Sequence, residues 1–324
     1  MEAGLVLAAA ASASAAAALA TSAAHAVWRR KLGLPPDWFP AVLAYHKVGS
    51  AELGGTWCTR RQFAAHLDAL CAAGFLAIDS VRLASRLYGE PRPGSHTPAD
   101  THEKAAPVEV QSDSREVLVT FDDAYDSFAA HAFPELRARG FPVVLFVIAG
   151  FVGRRSGWDL PLPGRRAAHL DWAALRDLVC AGVEIGSHTM THRDLRRLTV
   201  AELSRELAGS RRQLEDVLGV EVRAVSYPFG RFDGRVLDAA AAAGYRFGFS
   251  MCPPGSNASI LPLALRRWGV YVTDTPRSVL DKVDPTRRAF WIQDLVTRGV
   301  SAVAELAAVA SPATAARAAR RMHP

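Results

Sequence analysis

Two short clusters of side chains in this sequence have the composition of a catalytic metal site. Asp122 and Asp123 directly follow the apolar run of residues 117–121. His188 and His192 stand four residues apart after a second strand-like run. A hydrolytic metal centre commonly has three protein ligands, one position open for water and a further carboxylate that acts as base. Two carboxylates and two histidines can supply all of these groups.

Each pair taken alone also has an ordinary structural explanation. Adjacent aspartates after a strand are compatible with turn or helix-capping chemistry, and two histidines four residues apart are compatible with solvated side chains. The joint pattern favours catalysis, because a third cluster, residues 226–230, follows another strand-like stretch at 222–225. The carboxyl ends of parallel strands form the active face of parallel α/β folds.

Strand and helix patterns alternate along the chain in a way that would carry these clusters to one place. Capping boxes at Thr59–Gln62 and Thr199–Glu202 predict two helix starts, and the near-continuous apolar run 143–148 predicts a strand covered on both faces. About seven strand and helix repeats predict an α/β fold, a distorted (β/α) barrel of parallel strands. The predicted strands are 41–44, 75–78, 117–121, 143–148, 183–186, 222–225, 245–249 and 269–272.

Across roughly residues 40–275, the sequence resembles the polysaccharide deacetylases, the family 4 type of carbohydrate esterase that shares the NodB-homology domain. Residues 120–123 are similar to the first motif of that family, residues 187–192 to its second and residues 227–230 to its third. The Tyr-His pair at 45–46 and the Tyr-Pro-Phe-Gly segment at 227–230 together resemble the branch that includes deacetylases of exported poly-N-acetylglucosamine. This resemblance implies the same barrel fold that the alternating pattern predicts.

The resemblance also implies a role for each matching residue. Asp122 would be the general base, and Asp123, His188 and His192 would be the metal ligands. The implied activity is removal of N-acetyl groups from an amino-sugar polysaccharide or oligosaccharide by metal-activated water. An O-acetyl esterase or small-amide hydrolase could use the same site. A catalytically silent carbohydrate-binding scaffold is the alternative from a different class.

Three positions depart from the family pattern. Ala124 stands where the first motif usually has glycine, and Ser226 stands where many members carry an arginine that orients the base. The usual Leu-x-His acid motif is missing, and residues 261–267 lie about where it is expected. His46, after the first predicted strand, is the candidate for the acid role. Its structural alternative is a histidine that hydrogen-bonds a loop.

An Asp-His-His set with an open water position favours zinc, and cobalt or nickel could occupy the same ligands. For the glycan, the candidate contacts are Tyr227, Pro228 and Phe229 of the third motif. Trp158 is added as a possible stacking platform for a sugar ring, because it lies in a loop and not on a helix.

Charge and cysteine content narrow the possible partners. The net charge is +6 and the isoelectric point about 9.4, but the basic residues are spread widely and no nucleic-acid motif is present, so no nucleic-acid partner is expected. The arginine clusters indicate solvated helix faces or contacts with an anionic membrane surface. The four cysteines are scattered without a Cys-x-x-Cys pair, which argues against a cysteine zinc site.

We divide the chain into an N-terminal apolar segment (1–31), a catalytic domain (32–275) and a C-terminal helical extension (276–324). A polar, glycine- and proline-rich stretch at 88–115 reads as a loop insertion, either a spacer or a flap near the substrate. The first segment is compatible with a membrane anchor, a cleaved signal peptide or an alanine-rich leader helix. Because polymer substrates are met outside the cytoplasm, we expect membrane association or export to the cell envelope, with a cytoplasmic location as the alternative.

Overall fold

The architecture is that of a computed structural model, which describes residues 40–49, 55–88, 115–155, 167–251 and 262–284. All of these residues belong to one compact unit of the chain. The predicted segment 1–31, Trp158, nearly all of the 88–115 insertion and the extension beyond residue 284 lie outside the described residues.

The strands are short, and most residues of the strands in the main sheet are buried. In β5 all six residues are buried, and in β6 all five, as expected for parallel strands covered on both faces. In chain order the strands are β1 (Ala41–Tyr45), β2 (Lys47–Val48), β3 (Trp57–Cys58), β4 (Leu76–Ala77), β5 (Glu116–Phe121), β6 (Val143–Val147), β7 (Glu184–Ser187), β8 (Ala224–Ser226), β9 (Phe247–Ser250), β10 (Leu265–Arg266) and β11 (Trp268–Gly269).

Eight of these strands form one parallel sheet in the order β10-β9-β8-β7-β6-β5-β1-β11, with β4 paired to the start of β5. The two strands at the ends of this order, β10 and β11, are separated along the chain by Arg267 alone. One short segment therefore pairs with β9 and then with β1, so the sheet is nearly closed into a barrel. Strands β2 and β3 form a separate small sheet.

Helices follow most strands and cover the sheet. They are α1 (Arg60–Ala72), α2 (Ser80–Tyr88), α3 (Phe133–Ala138), α4 (Trp172–Cys180), α5 (Val200–Ser204), α6 (Ser210–Leu218), α7 (Gly234–Ala242) and α8 (Pro276–Val283). Both predicted capping boxes are present, at Thr59 before α1 and at Thr199 before α5. Two π-helical turns, 128–132 and 205–209, continue into α3 and α6. Such turns are frequent near functional sites.

The predicted barrel is confirmed, with eight strands in the main order where the sequence pattern predicted about seven. The predicted strand 222–225 begins two residues late, at Ala224, and the predicted strand 269–272 is shorter and earlier, as β11. These shifts occur at short strands near the barrel seam, where periodicity extends over too few residues to define a boundary.

An aromatic cluster in the core holds β1 and β5 together directly beneath their carboxyl ends. The Tyr45 and Phe121 rings stack at 5.3 Å between centroids, and Phe63 of α1 meets both rings edge-on. Complete burial of such rings stabilises the fold by about 1.5–3 kcal/mol each. The residues that follow Tyr45 and Phe121 are therefore carried by a rigid part of the barrel.

Among the described residues, no helix combines the length and the apolar character needed to cross a bilayer.

Candidate active site

The carboxyl ends of several strands gather the predicted site residues at one end of the barrel. His46 directly follows β1, Asp122 follows β5 and His188 follows β7. The strand pairing continues one residue past the strand ends, since the Asp122 N–H donates to Tyr45 O at 2.9 Å. Likewise the His188 N–H donates to Val147 O at 2.8 Å.

Asp123, His188 and His192 converge on a single point. One ligand atom from each lies within 4.8 Å of the other two. Asp123 Oδ1 is 3.5 Å from His188 Nε2 and 3.8 Å from His192 Nε2. Asp123 Oδ1 is also buried and has no hydrogen-bond partner among the described residues. A buried carboxylate oxygen facing two imidazole nitrogens fits a divalent cation.

Both histidines are arranged in a way that suits coordination. His188 Nδ1 lies 2.8 Å from Ser226 O, and because a carbonyl only accepts, Nδ1 is the donor and Nε2 is the nitrogen that faces Asp123 Oδ1. Burial lowers the pKa of His192 to about 4; the charge of His188 acts in the same direction and that of Asp123 opposes it. A metal ligand must be deprotonated, and the lowered pKa of His192 meets that condition near neutral pH.

The backbone is strained around the same point. Five non-glycine residues of the described chain have left-handed φ angles, and all belong to the three predicted motifs: Asp123, Ala124, Thr189, His192 and Phe229. Such conformations cost of order 1–3 kcal/mol each and persist only where the surroundings impose them. Ala124, where the family pattern has glycine, adopts φ 51°. Alanine thus adopts here a left-handed conformation that favours glycine.

Arg267 takes the place of the arginine that the third motif lacks. Its side chain is fully buried and forms a two-pronged pair with Asp122, Nη1 to Oδ1 and Nη2 to Oδ2, both at 2.7 Å. Nη2 also donates to Ser226 Oγ at 2.7 Å. Burial by itself would raise the pKa of Asp122, but the charge of Arg267 and the nearby histidines hold it well below its ordinary value. Asp122 is therefore ionised and fixed in orientation.

Sequence reasoning missed Arg267 because it lies 145 residues after its partner. The available signal was its position at the end of segment 261–267, which is apolar apart from Arg266 and Arg267 and lies where the acid motif was expected. A small side chain at Ser226 leaves room for the guanidinium to enter from the neighbouring seam of the barrel. The serine and the arginine together do what one arginine does in the usual pattern.

His46 lies on the same face as Asp122, with Nε2 3.9 Å from Asp122 Oδ2. The imidazole is partly exposed, and Nδ1 is buried without a hydrogen-bond partner among the described residues. The structural alternative required a hydrogen bond from this ring to a loop, and among the described residues no such bond is found at Nδ1. The ring is placed where it can exchange a proton with a bound molecule.

The third motif divides into a buried part and an exposed part. Tyr227 and Pro228 are buried, and the Tyr227 hydroxyl donates to Leu263 O at 2.8 Å. Phe229 is 52% exposed and packs edge-on against His192 with 4.8 Å between ring centroids. Of these three predicted glycan contacts, Phe229 is the one whose side chain is open to a ligand. Trp158 lies outside the described residues.

His169 is a second residue that sequence reasoning did not single out. Its Nδ1 donates to the backbone oxygen of Asp123 at 2.7 Å, and its ring stacks on Tyr125 at 4.8 Å. This bond holds the peptide group of a metal-ligand candidate whose φ is 69°. Histidine at this position carries no local sequence signal, because its partner is a backbone atom 46 residues away.

Comparison with known proteins supports the reading of the motifs. The family described as polysaccharide deacetylase matches residues 109–248. The protein YxkH of Bacillus subtilis (strain 168), whose name assigns it to the polysaccharide deacetylases, is 25% identical over 226 residues, covering 70% of this chain and 69% of YxkH. The poly-beta-1,6-N-acetyl-D-glucosamine N-deacetylase of Staphylococcus aureus (strain MRSA252) is 24% identical over 164 residues. That match spans 47% of this chain and about half, 54%, of the Staphylococcus enzyme.

Solved structures agree with the fold. The deacetylase PplD of Streptococcus pyogenes, solved in complex with acetate, superimposes with a TM-score of 0.60 at 21% identity. The similarity covers 76% of this chain and 98% of PplD. At that identity the likeness establishes the barrel architecture.

Proposed function

We propose that this chain, which belongs to the polysaccharide deacetylase family through residues 109–248, is a metal-dependent hydrolase that removes N-acetyl groups from an amino-sugar polysaccharide or oligosaccharide. One observation carries the proposal. An ionised carboxylate held by Arg267 stands beside an Asp-His-His set whose ligand atoms converge within 4.8 Å. A silent binding scaffold would not need both a buried, charged base and a complete metal-ligand set.

Asp122 acts as the general base in this proposal. Its carboxylate is ionised, and the pair with Arg267 fixes its orientation, so it can receive a proton from a molecule bound beside Asp123. Asp123 cannot exchange roles with it, because its Oδ1 faces His188 and His192. The turn after β5 thus presents two adjacent carboxylates to two different partners.

The residues fit a divalent ion, since Asp123 Oδ1 and the two imidazole Nε2 atoms face one another in a buried site. When held by Asp123, His188 and His192, such an ion supplies Lewis-acid chemistry, lowering the pKa of a water and polarising the acetyl carbonyl. The backbone N–H of Phe229 would hold the developing oxyanion, since those of Gly230 and Arg231 donate to Tyr227 O and Pro228 O. Each lost donor of this kind typically costs about 3–4 kcal/mol of transition-state stabilisation. Zinc remains our choice of ion, with cobalt or nickel able to take its place.

His46 is proposed as the general acid that protonates the leaving amine. Its Nε2 lies 3.9 Å from Asp122 Oδ2, so base and acid flank the same space. An amine leaves an amide only after protonation, whereas a phenolate leaves an ester without help. The two roles can therefore be separated by the choice of substrate.

The substrate and location follow as part of this proposal. The Staphylococcus enzyme that this chain resembles is named for poly-beta-1,6-N-acetyl-D-glucosamine, which supports an acetylated amino-sugar polymer as the partner. Phe229, exposed beside His192, supplies an aromatic face for a sugar ring. Membrane association or export to the envelope through residues 1–31 stays a prediction.

The test is acetate release from N-acetylglucosamine oligomers by the purified full chain, after chelation and again after zinc is restored. We expect activity that depends on added metal and is lost in Asp122→Asn. His46→Gln should lose most activity on the oligomers, about 100-fold or more, and retain it on an aryl acetate. Arg223→Met serves as the control, because this partly exposed arginine pairs with Glu221 and not with any of these groups.

Two results would redirect the proposal. Metal-dependent release of acetate from O-acetylated glycans, with none from the N-acetyl oligomers, would identify an esterase. A folded, metal-binding chain that releases acetate from neither substrate but binds the oligomers would identify a scaffold.

A further inference from the structure

The turn that carries the two histidine ligands is held in an unfavourable backbone conformation. Thr189 and His192 both have left-handed φ angles, 67° and 57°. Histidine is one of the types that adopt this region more often, but Thr189 is β-branched, and for such a residue a positive φ is a genuine outlier. His188 and His192 face one point only while this conformation is kept, so something outside the turn must stabilise it.

The side chain of Glu206 forms hydrogen bonds with this turn. It is buried, and its Oε2 accepts the backbone N–H of Met190 at 3.0 Å and that of Thr191 at 2.8 Å. Its Oε1 accepts the Thr191 hydroxyl in a short hydrogen bond. The residues between the two histidines therefore place three donors on one carboxylate. Glu206 has no ion-pair partner among the described residues, so these donors are what satisfies its charge.

The π-helical turn at 205–209 reinforces this arrangement from the backbone. Glu206 O accepts the Met190 N–H at 3.1 Å and the Ser210 hydroxyl at 2.6 Å. Ser210 Oγ in turn lies 2.9 Å from Ser187 Oγ, which accepts the Thr189 N–H at 3.1 Å. Both ends of the histidine turn are thus tied to the same stretch of helix.

We propose that Glu206 is a positioning residue, which holds the turn 189–192 in the conformation that lets His188 and His192 bind metal together. This inference rests on the proposed function, because it concerns the affinity of the same metal site. Among the described residues, Glu206 forms no hydrogen bond or ion pair with the metal-ligand atoms or with Asp122. It acts through the backbone of Met190 and Thr191.

Two substitutions at position 206 separate the effect of side-chain length from the effect of charge. Glu206→Gln keeps the length of the side chain and an oxygen for the two N–H groups, and its amide can donate to the Thr191 hydroxyl. Glu206→Asp keeps the charge but withdraws the carboxylate by one methylene. If Glu206 positions the turn, glutamine is the conservative replacement. If it contributes only negative charge near the metal, aspartate is.

The experiment measures metal affinity of the purified full chain by zinc competition against a chromophoric chelator, and ligand geometry by the visible spectrum of the cobalt-loaded protein. We expect Glu206→Asp and Glu206→Ala to bind zinc about 10–100-fold more weakly with an altered cobalt spectrum. The zinc affinity of Glu206→Gln should stay within about threefold of that of the unsubstituted chain, and its cobalt spectrum should be unchanged.

Glu215→Ala is the matched control. Glu215 lies on α6, which continues the same helical run, and accepts a loop N–H from Val222 at 2.9 Å, away from the metal-ligand set. Its loss should lower the unfolding temperature without changing zinc affinity. Folding of each variant is checked by thermal unfolding in chelator.

A folded Glu206→Ala that binds zinc with unchanged affinity and spectrum would overturn the inference. Aspartate restoring affinity where glutamine does not would overturn it as well. Should Glu206→Ala fail to fold, the comparison of glutamine with aspartate still decides. Failure of the proposed function looks different: the unsubstituted chain would bind zinc, with the predicted dependence on Glu206, and release no acetate.

Discussion

At the scale of single residues, the charge of the base candidate depends on one buried arginine. Arg267 is fully buried and shares two 2.7 Å hydrogen bonds with Asp122. Burial opposes ionisation of Asp122, and Arg267 overcomes that opposition. A buried charge left alone by loss of its partner is strongly disfavoured. The arginine therefore determines both the orientation and the protonation state of Asp122.

Arg267→Met should reduce kcat/KM for deacetylation by about 100-fold, because the carboxylate is no longer held in place. The acid side of the pH profile should also move to higher pH. In the unsubstituted chain the pKa of Asp122 is held well below its usual range, so the base is ionised throughout. Without Arg267, burial raises that pKa, and the base is protonated as pH falls. A pH profile of kcat/KM that matches the unsubstituted chain would contradict this role.

At the scale of elements, α2 is fastened to the start of β5 by a cluster of two arginines and one carboxylate. Glu116 is buried and accepts from Arg82 Nε at 3.0 Å and from Arg86 Nη2 at 2.8 Å. Arg86 Nε adds a bond to the other oxygen at 2.9 Å. The same strand ends six residues later at the Asp122–Asp123 turn. The cluster thus fixes the strand that carries the base.

Glu116→Gln should lower the free energy of unfolding by about 1–3 kcal/mol near neutral pH, because charge-assisted bonds become neutral ones. Burial works to raise the pKa of Glu116, but Arg86 and Arg82 hold it below its ordinary value of 4.5. A carboxylate with a lowered pKa stabilises the fold above its unfolded-state pKa, and this contribution is lost as pH falls through the folded-state value.

The difference in the free energy of unfolding between Glu116→Gln and the unsubstituted chain should therefore become smaller as pH falls below 4.5. Urea unfolding at several pH values will measure this difference. Glu221→Gln is the control, since its pair with Arg223 is exposed and contributes less than about 1 kcal/mol. If the two variants lose the same free energy of unfolding, or if the loss in Glu116→Gln does not change with pH, the cluster has no structural role.

At the scale of the whole molecule, the barrel depends on the segment that joins its two edges. Strands β10 and β11 pair with β9 and β1, and the chain then returns to α8. Lys282 of α8 is buried; its Nζ donates to Gly269 O of β11 at 2.8 Å and makes a short bond to Asp274. His66 of α1 donates to Asp274 O at 3.0 Å. The joining segment is thereby fastened to two helices.

Lys282→Met should destabilise the fold by about 3–5 kcal/mol, because it leaves the Asp274 carboxylate buried beside an apolar group. Burial lowers the pKa of Lys282, and the Asp274 carboxylate opposes that shift. Each charge of the buried pair therefore depends on the other for its stabilisation. Arg277→Met replaces an exposed residue on the same helix and should change the free energy of unfolding by no more than about 0.5 kcal/mol. Urea unfolding of both variants provides the comparison; equal midpoints would show that α8 does not fasten the seam.

The sequence by itself determined the features of this protein that depend on residues close together along the chain. The approximate positions of the main strands, the capping boxes at Thr59 and Thr199, and the Asp-Asp and His-x-x-x-His spacings are local, so periodicity and side-chain chemistry were enough to predict them. Family resemblance added a role for each matching residue. The barrel followed from the alternation of strands and helices.

Only the tertiary structure decided which distant groups support these residues. Arg267 reaches Asp122 across 145 positions, because the nearly closed barrel brings its last strands beside its first. His169 and Glu206 act on backbone atoms of the site, which no pattern of side chains records. Tyr227 is buried while Phe229 is exposed, because the left-handed φ of Phe229 redirects the chain at that point. These contacts depend on three-dimensional closure, and a linear sequence does not display distances between its ends.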